Sequence, residues 1–173
     1  MQILKSEIGS FILKVIAIYL CWYLVYELWL LPEGSLDEWL TRNIITVSSS
    51  ILNIFEFDVY ANGRFIRIGE TAGILLVNGC SGISAMGLFV GFVIAYPGEW
   101  LPRILYIITG IGIIYLVNII RIIALAITQE FWPAIFDFTH DYSTTAIFYL
   151  VIFGLWMIWA NQGTKNSGLR LAD

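Results

Sequence analysis

Apolar residues fall along this chain in four blocks, separated by polar stretches of unequal length. Phe11 to Leu31 is apolar for about 21 residues, close to the ~20 that cross a bilayer core. It is longer than a signal-peptide core and no small-residue cleavage site follows, so a retained first span is predicted. Trp22, Tyr23, Tyr26 and Trp29 crowd its second half like an interfacial aromatic belt. A second block begins near Cys80 and ends at Tyr96-Pro97-Gly98. A third runs from about Leu101 to Thr128, and a fourth from about Tyr142 to Ala160. Gly87 and Gly91 give the second block a small-residue face for close helix contact.

The long interval between the first two blocks reads differently. Pro32 and Gly34 are expected to stop the first helix, and Ser35 with Glu38 fits a capping box. Leu36, Trp39, Leu40, Ile44, Val47, Ile51, Ile54 and Phe55 then recur at helical spacing, opposite Asp37, Thr41, Arg42, Ser48 and Ser49. That pattern predicts an amphipathic helix lying on the bilayer or against the bundle. Asn62-Gly63 between β-prone runs predicts a hairpin over residues 57–68, with Arg64 and Arg67 exposed. Ile74 to Val77 fits either a strand or a buried approach to the second block.

The expected fold is therefore mostly α. It is a polytopic membrane bundle of about four spans (11–31, 80–96, 101–128 and 142–160) in one domain over residues 1–160. An amphipathic helix and a small hairpin lie outside, within segment 33–79, and residues 161–173 form a cytoplasmic tail.

Composition supports the membrane reading. Hydrophobic residues make up 59% of the chain and charged residues 13%, about half the charge of a soluble domain. No basic stripe exists to hold nucleic acid. The charges also divide by side. The terminal side carries Lys5, Lys14, Arg103, Lys165 and Arg170 against Glu7, Glu99 and Asp173. The large loop carries Arg42, Arg64 and Arg67 against Glu33, Asp37, Glu38, Glu56, Asp58 and Glu70. The positive-inside rule then puts both termini in the cytoplasm of a multi-pass plasma (inner) membrane protein. The loop, Cys80 and the 129–141 connector face outward. Cys21 falls mid-span and Cys80 at an interface, too far apart in depth for a disulfide, so both are expected as free thiols.

Three residues at that outer face carry candidate chemistry. Cys80, between Gly79 and Gly82, is placed where a loop enters a helix, whose unpaired N–H groups favour a thiolate. Arg121 lies about seven residues inside the third span, where a guanidinium is costly unless paired or hydrated. His140 stands at the mouth of the fourth span. Each has a plainer reading. Cys80 fits a packing residue, His140 a helix cap, and Arg121 a structural ion pair with Glu70 or Glu130. Asn118 shares a helix face with Arg121. Asp137 and Asp141 flank His140 and either orient its imidazole or solvate the loop. Glu27 reads as near the outer interface and Cys21 as core. A thiol, a base and a cation together are the parts of acyl transfer through a thioester.

Asn78-Gly-Cys80-Ser81-Gly82, Asn118-Ile-Ile-Arg121-Ile122 and the span-opening His140 resemble the exosortase/archaeosortase membrane transpeptidases, in order and interval, over roughly residues 70–160. The resemblance implies Cys80 as nucleophile on a scissile peptide carbonyl, His140 as general acid/base and Arg121 as stabiliser of the thiolate or oxyanion. It implies as partner the C-terminal sorting-signal segment of an exported protein, with an acceptor nucleophile and no cofactor or metal. This chain is shorter than the larger members, and segment 35–68 has no clear counterpart. A membrane thiol endopeptidase that hydrolyses its acyl-enzyme, and a non-catalytic scaffold, remain as alternatives.

Overall fold

A computed structural model describes residues 2–140 and 144–166. Its first element is a long rod: α1 (Gln2–Trp22), a π-helical stretch Tyr23–Leu30 and a closing turn α2 (Leu31–Glu33). Most of its side chains face outward, as Leu13, Leu20, Leu28 and Trp29 do. Pro32 does not stop this rod. It sits in the first turn of α2, where a missing N–H costs least, and Gly34 at φ +78° ends the helix.

The predicted capping box does not form. Gly34 occupies the N-cap of α3 (Ser35–Ile54), so Ser35 is already helical. Ser35 donates from both N and Oγ to the Glu33 carboxylate, and Glu38 pairs with Arg42. The helix start still acquires a carboxylate, from Glu33.

The amphipathic face of α3 is also rotated from the expected one. Asp37, Leu40, Thr41, Ile44, Ile45, Ser48 and Leu52 are buried, whereas Trp39, Ile54 and Phe55 are exposed. Asp37, Thr41 and Ser48, expected on the wet side, are thus in phase with the isoleucines. Leu40, Ile44, Ile45 and Leu52 join a core that includes Ile119, Ile122 and Leu125 of α5 (Trp100–Phe131). The helix is packed against the bundle.

The hairpin forms as β1 (Val59–Asn62) and β2 (Phe65–Ile68), with Asn62 opposite Phe65. Its two-residue turn is Gly63-Arg64, not Asn62-Gly63. Gly63 at φ +59° in the first central position, with Arg64 at negative φ, suits the right-handed strand twist. Ile74–Leu75 adds as β3, antiparallel to β2, which resolves the strand question and makes the sheet three-stranded. Leu76 N continues that ladder to Arg64 O at 3.0 Å. Arg64 is half-buried, with Nε and Nη2 enclosed and unbonded, and not exposed as expected. Arg67 is half-buried too, over the Tyr60 ring and 3.6 Å from Glu70.

The sheet rests on the end of α5, where Gln129 Nε2 donates to Gly73 O at 3.2 Å. Among the described residues, two stretches are long and apolar enough to cross a bilayer, Gly9–Glu33 and Trp100–Phe131. At 32 residues α5 extends about 48 Å, beyond the ~30 Å of hydrocarbon. By contrast α4 (Ile83–Ala95) has 13 residues and reaches about 20 Å. Segment 80–96 is thus a loop followed by a short helix. The last element begins after a 3₁₀ turn (Pro133–Ile135) and α6 (Phe136–Phe138). This α7 (Thr144–Asn166) continues past the expected end at Ala160.

The predicted small-residue face finds its partner in α1. A Cβ on Gly87 would stand 2.1 Å from the Trp22 ring, and one on Gly91 3.1 Å from Ile18. Arg103, counted above as a terminal-side charge, is buried. Its Nη2 donates to Tyr96 O at 3.0 Å and Gly98 O at 2.9 Å, closing the α4–α5 turn.

Candidate active site

Cys80 lies in a turn ahead of α4, not on its first residues. Gly82 takes the N-cap and Ile83 begins the helix. The Cys80 N–H is spent on Val77 O at 3.1 Å. Direct help from the helix start is therefore weaker than the sequence implied, because the thiol stands ahead of the unpaired N–H groups. Gly79 (φ +88°) and Gly82 (φ +86°) supply left-handed corners on either side. The thiol is free and half-buried.

A buried carboxylate holds this turn. Asp37 is wholly enclosed. Its Oδ1 accepts from Gly79 N at 2.9 Å and from Ser81 Oγ at 2.7 Å, one residue to each side of Cys80. Its Oδ2 accepts from Tyr26 OH at 3.0 Å. Tyr26, also fully buried, stacks on Trp22 with ring centroids 5.1 Å apart. Sequence reasoning missed Asp37, having placed it with the solvent-facing charges. The available signal was phase: residues 37, 41, 44, 45, 48 and 52 fall on one helical stripe.

From the other side α5 reaches the same turn. Asn118, fully buried, donates from Nδ2 to Ser81 O at 2.7 Å, and its Oδ1 has no partner. Arg121 follows three residues later, on an adjoining part of the same face. It is half-buried, with an enclosed Nε that has no hydrogen-bond partner. The anticipated structural ion pairs do not form. Glu70 pairs with Arg67, and Glu130 lies by Gly69, about 3.4 Å from where a Cβ there would stand. Among the described residues, Arg121 makes no ion pair.

His140 is exposed, in the segment between α5 and α7, and its ring stacks on Phe136 at 6.0 Å. The helix it precedes comes back to the Cys80 turn: Phe148 would stand 3.4 Å from a Cβ on Gly82. Asp137 is exposed, with no hydrogen bond or ion pair among the described residues. Asp141 lies outside the described residues. Hydrogen bonds thus join the Cys80 turn, Ser81 and Asn118, with Tyr26 and Asp37 as added members. Arg121 lies on α5 one turn beyond Asn118, and His140 stands in the segment after α5, beside Phe136. Cys21 is exposed, lining a 480 Å³ apolar groove between α1 and α4, and is not in the core.

A family model described as transmembrane exosortase matches residues 8–157. Comparison with curated proteins and with solved structures returns no match. The matched region takes in α1 through most of α7 and contains the Cys80 turn, Arg121 and His140. This membrane protein belongs to the transmembrane exosortase family.

Proposed function

We propose that this chain is a membrane cysteine transpeptidase with Cys80 as nucleophile, His140 as general acid/base and Arg121 as the cation for the developing oxyanion. The observation that carries the reading is the tethering of the Cys80 turn from both sides. Asp37 holds Gly79 and Ser81, and Asn118 holds Ser81 from the helix that bears Arg121. A nucleophile on a short loop gains from such preorganisation, since a small displacement costs rate steeply. The guanidinium of Arg121 is uncommitted to any carboxylate among the described residues, as a group reserved for transient charge should be.

In this reading the Cys80 thiolate attacks a peptide carbonyl in the C-terminal sorting signal of an exported client. The C–S bond forms, the negative charge on oxygen meets Arg121, and His140 protonates the leaving amine as the C–N bond breaks. A nucleophile on an envelope acceptor then takes the acyl group and returns Cys80 as thiolate. Both termini lie in the cytoplasm and the Cys80 turn faces outward. The shorter α4 and α7 complete a bundle of about four spans with the two long helices.

Replacement of Cys80 by Ala tests the reading in cells expressing an exported client with a C-terminal motif, apolar helix and basic tail. Processing is expected to stop; a client still cleaved and matured would favour the scaffold reading instead. The mass of the processed client separates transfer from hydrolysis: an adduct at its new C-terminus marks transfer, a free carboxylate hydrolysis.

A further inference from the structure

Beside the Cys80 turn the chain has a second feature that the reaction above leaves unused. Glu27 lies in the π-helical stretch of the first span, about 9 Å inside its Glu33 end. It lines a cavity of about 160 Å³ with Tyr19, Trp22 and Tyr23 of the same rod, Ser84 of α4 and Tyr149 of α7. Among the described residues no lysine, arginine or histidine lines that cavity. Among the described residues Glu27 makes no ion pair or hydrogen bond. A carboxylate at that depth is costly without a counter-charge, and such residues mark ligand or ion sites. Short π-helical stretches are likewise frequent at functional sites.

We infer that this cavity binds a primary alkylammonium group, the amine of the acceptor that receives the acyl chain. Three features select this chemistry. Glu27 supplies the opposite charge, and Tyr19, Trp22, Tyr23 and Tyr149 line the cavity with aromatic rings, whose faces attract cations. Ser84 Oγ and the phenol oxygens supply acceptors for the three N–H donors of an ammonium. The small cup and single carboxylate favour a compact ammonium over a planar guanidinium, which is best met by a fork of two oxygens.

Two links run from this cavity to the Cys80 turn. Ser84 is four residues beyond Cys80, and Tyr26, next to Glu27 in the chain, bonds to the Asp37 that holds the Cys80 turn. As an acceptor site it rests on the transpeptidase reading. The ammonium gives one proton to the Glu27 carboxylate, and the freed amine attacks the thioester carbonyl carbon. A C–N bond forms, the C–S bond breaks to return Cys80 as thiolate, and His140 takes the second proton lost from nitrogen.

The test measures binding without turnover. The full chain carrying Cys80→Ala, in maltoside micelles, is titrated calorimetrically with n-butylammonium and with n-butanol. Saturable binding of butylammonium is expected, with at least tenfold weaker binding of butanol. Glu27→Gln should weaken butylammonium at least tenfold, and Glu27→Asp should retain part of the affinity. Equal affinity in Glu27→Gln, or equal binding of butanol, would overturn the proposal. If Glu27→Gln fails to fold, Ser84→Ala takes its place, with a smaller loss expected and none refuting the site. Maleimide labelling of Cys80 in chains that retain it, unchanged by Glu27→Gln, reports an intact turn. Micelles doped with phosphatidylethanolamine or with phosphatidylglycerol separate two sources of the amine. Competition by the former alone assigns a lipid headgroup, and no competition a water-soluble amine. Because the measurement uses a chain lacking the thiol, failure of Cys80 as nucleophile would leave it unaffected.

Discussion

Removal of the Asp37 carboxylate should release the Cys80 turn. Three donors converge on it, Gly79 N, Ser81 Oγ and Tyr26 OH, all within 3.0 Å. A hydrogen bond to a charged group contributes roughly 1.5–3 kcal/mol net. The two hydroxyls can rotate toward other acceptors after Asp37→Ala, but the Gly79 N–H is fixed in the backbone. A total cost of about 3–5 kcal/mol follows, comparable to breaking a buried charged pair. Asp37→Asn should cost less, about 1–2 kcal/mol. Its remaining oxygen still accepts from Gly79 and Ser81, and Tyr26 can turn to accept from the new amide. The assay is the rate of Cys80 alkylation by a maleimide in a Cys21→Ser background, read beside thermal unfolding in detergent. Each 1.4 kcal/mol of lost ordering raises the open population about tenfold. Asp37→Ala should therefore alkylate at least about a hundredfold faster, with a lower Tm, while Asp37→Asn stays within about thirtyfold of the parent. An Asp37→Ala protein with parental alkylation rate and Tm would show that the carboxylate does not hold the turn.

Four shorter predictions follow from other parts of the molecule. Arg121→Lys should lose most client processing while Tm changes little, since an ammonium lacks the planar fork for two oxygens; parental processing would reduce Arg121 to packing. Gly87→Val should lower Tm by an amount equivalent to about 1–3 kcal/mol, because its side chain enters the Trp22 ring. A stable Gly87→Val protein would mean that α1 and α4 do not meet there. Arg103→Met should destabilise by roughly 2–4 kcal/mol through loss of the two carbonyl contacts at the α4–α5 turn, measured by the same melts. A membrane-impermeant maleimide added outside whole cells should label Cys80 and spare Cys21, which faces an apolar groove; labelling of Cys80 from the cytoplasmic side alone would invert the proposed topology.

Much of the architecture was legible because it follows from local rules. Two of the four apolar blocks are helices long enough to cross hydrocarbon. Gly87 and Gly91 announced a close helix contact that α1 supplies. Asn62-Gly63 announced a hairpin, displaced by one residue because Gly63 alone carries the positive φ. The mistaken details share a cause, namely that local patterns do not reveal what an element packs against. Ser35-x-x-Glu38 fits a capping box as text, yet Gly34 takes the cap and Glu33 turns back to serve Ser35. Arg64 looks exposed in a hairpin turn until β3 is laid beside it.

Of the candidate site, residue types and order were readable: a thiol between glycines, an amide and a guanidinium three residues apart, and a histidine before the last helix. The sequence by itself thus determined a hydrophobic helical membrane chain and named the candidate groups, because residue chemistry and bilayer length are local properties. Which carboxylate becomes the anchor was settled only in three dimensions. Asp37 is 42 residues from Gly79 and 44 from Ser81. Its burial depends on how α3 rolls against α5, and a long-range fit of that kind is not encoded in any one stretch of the chain.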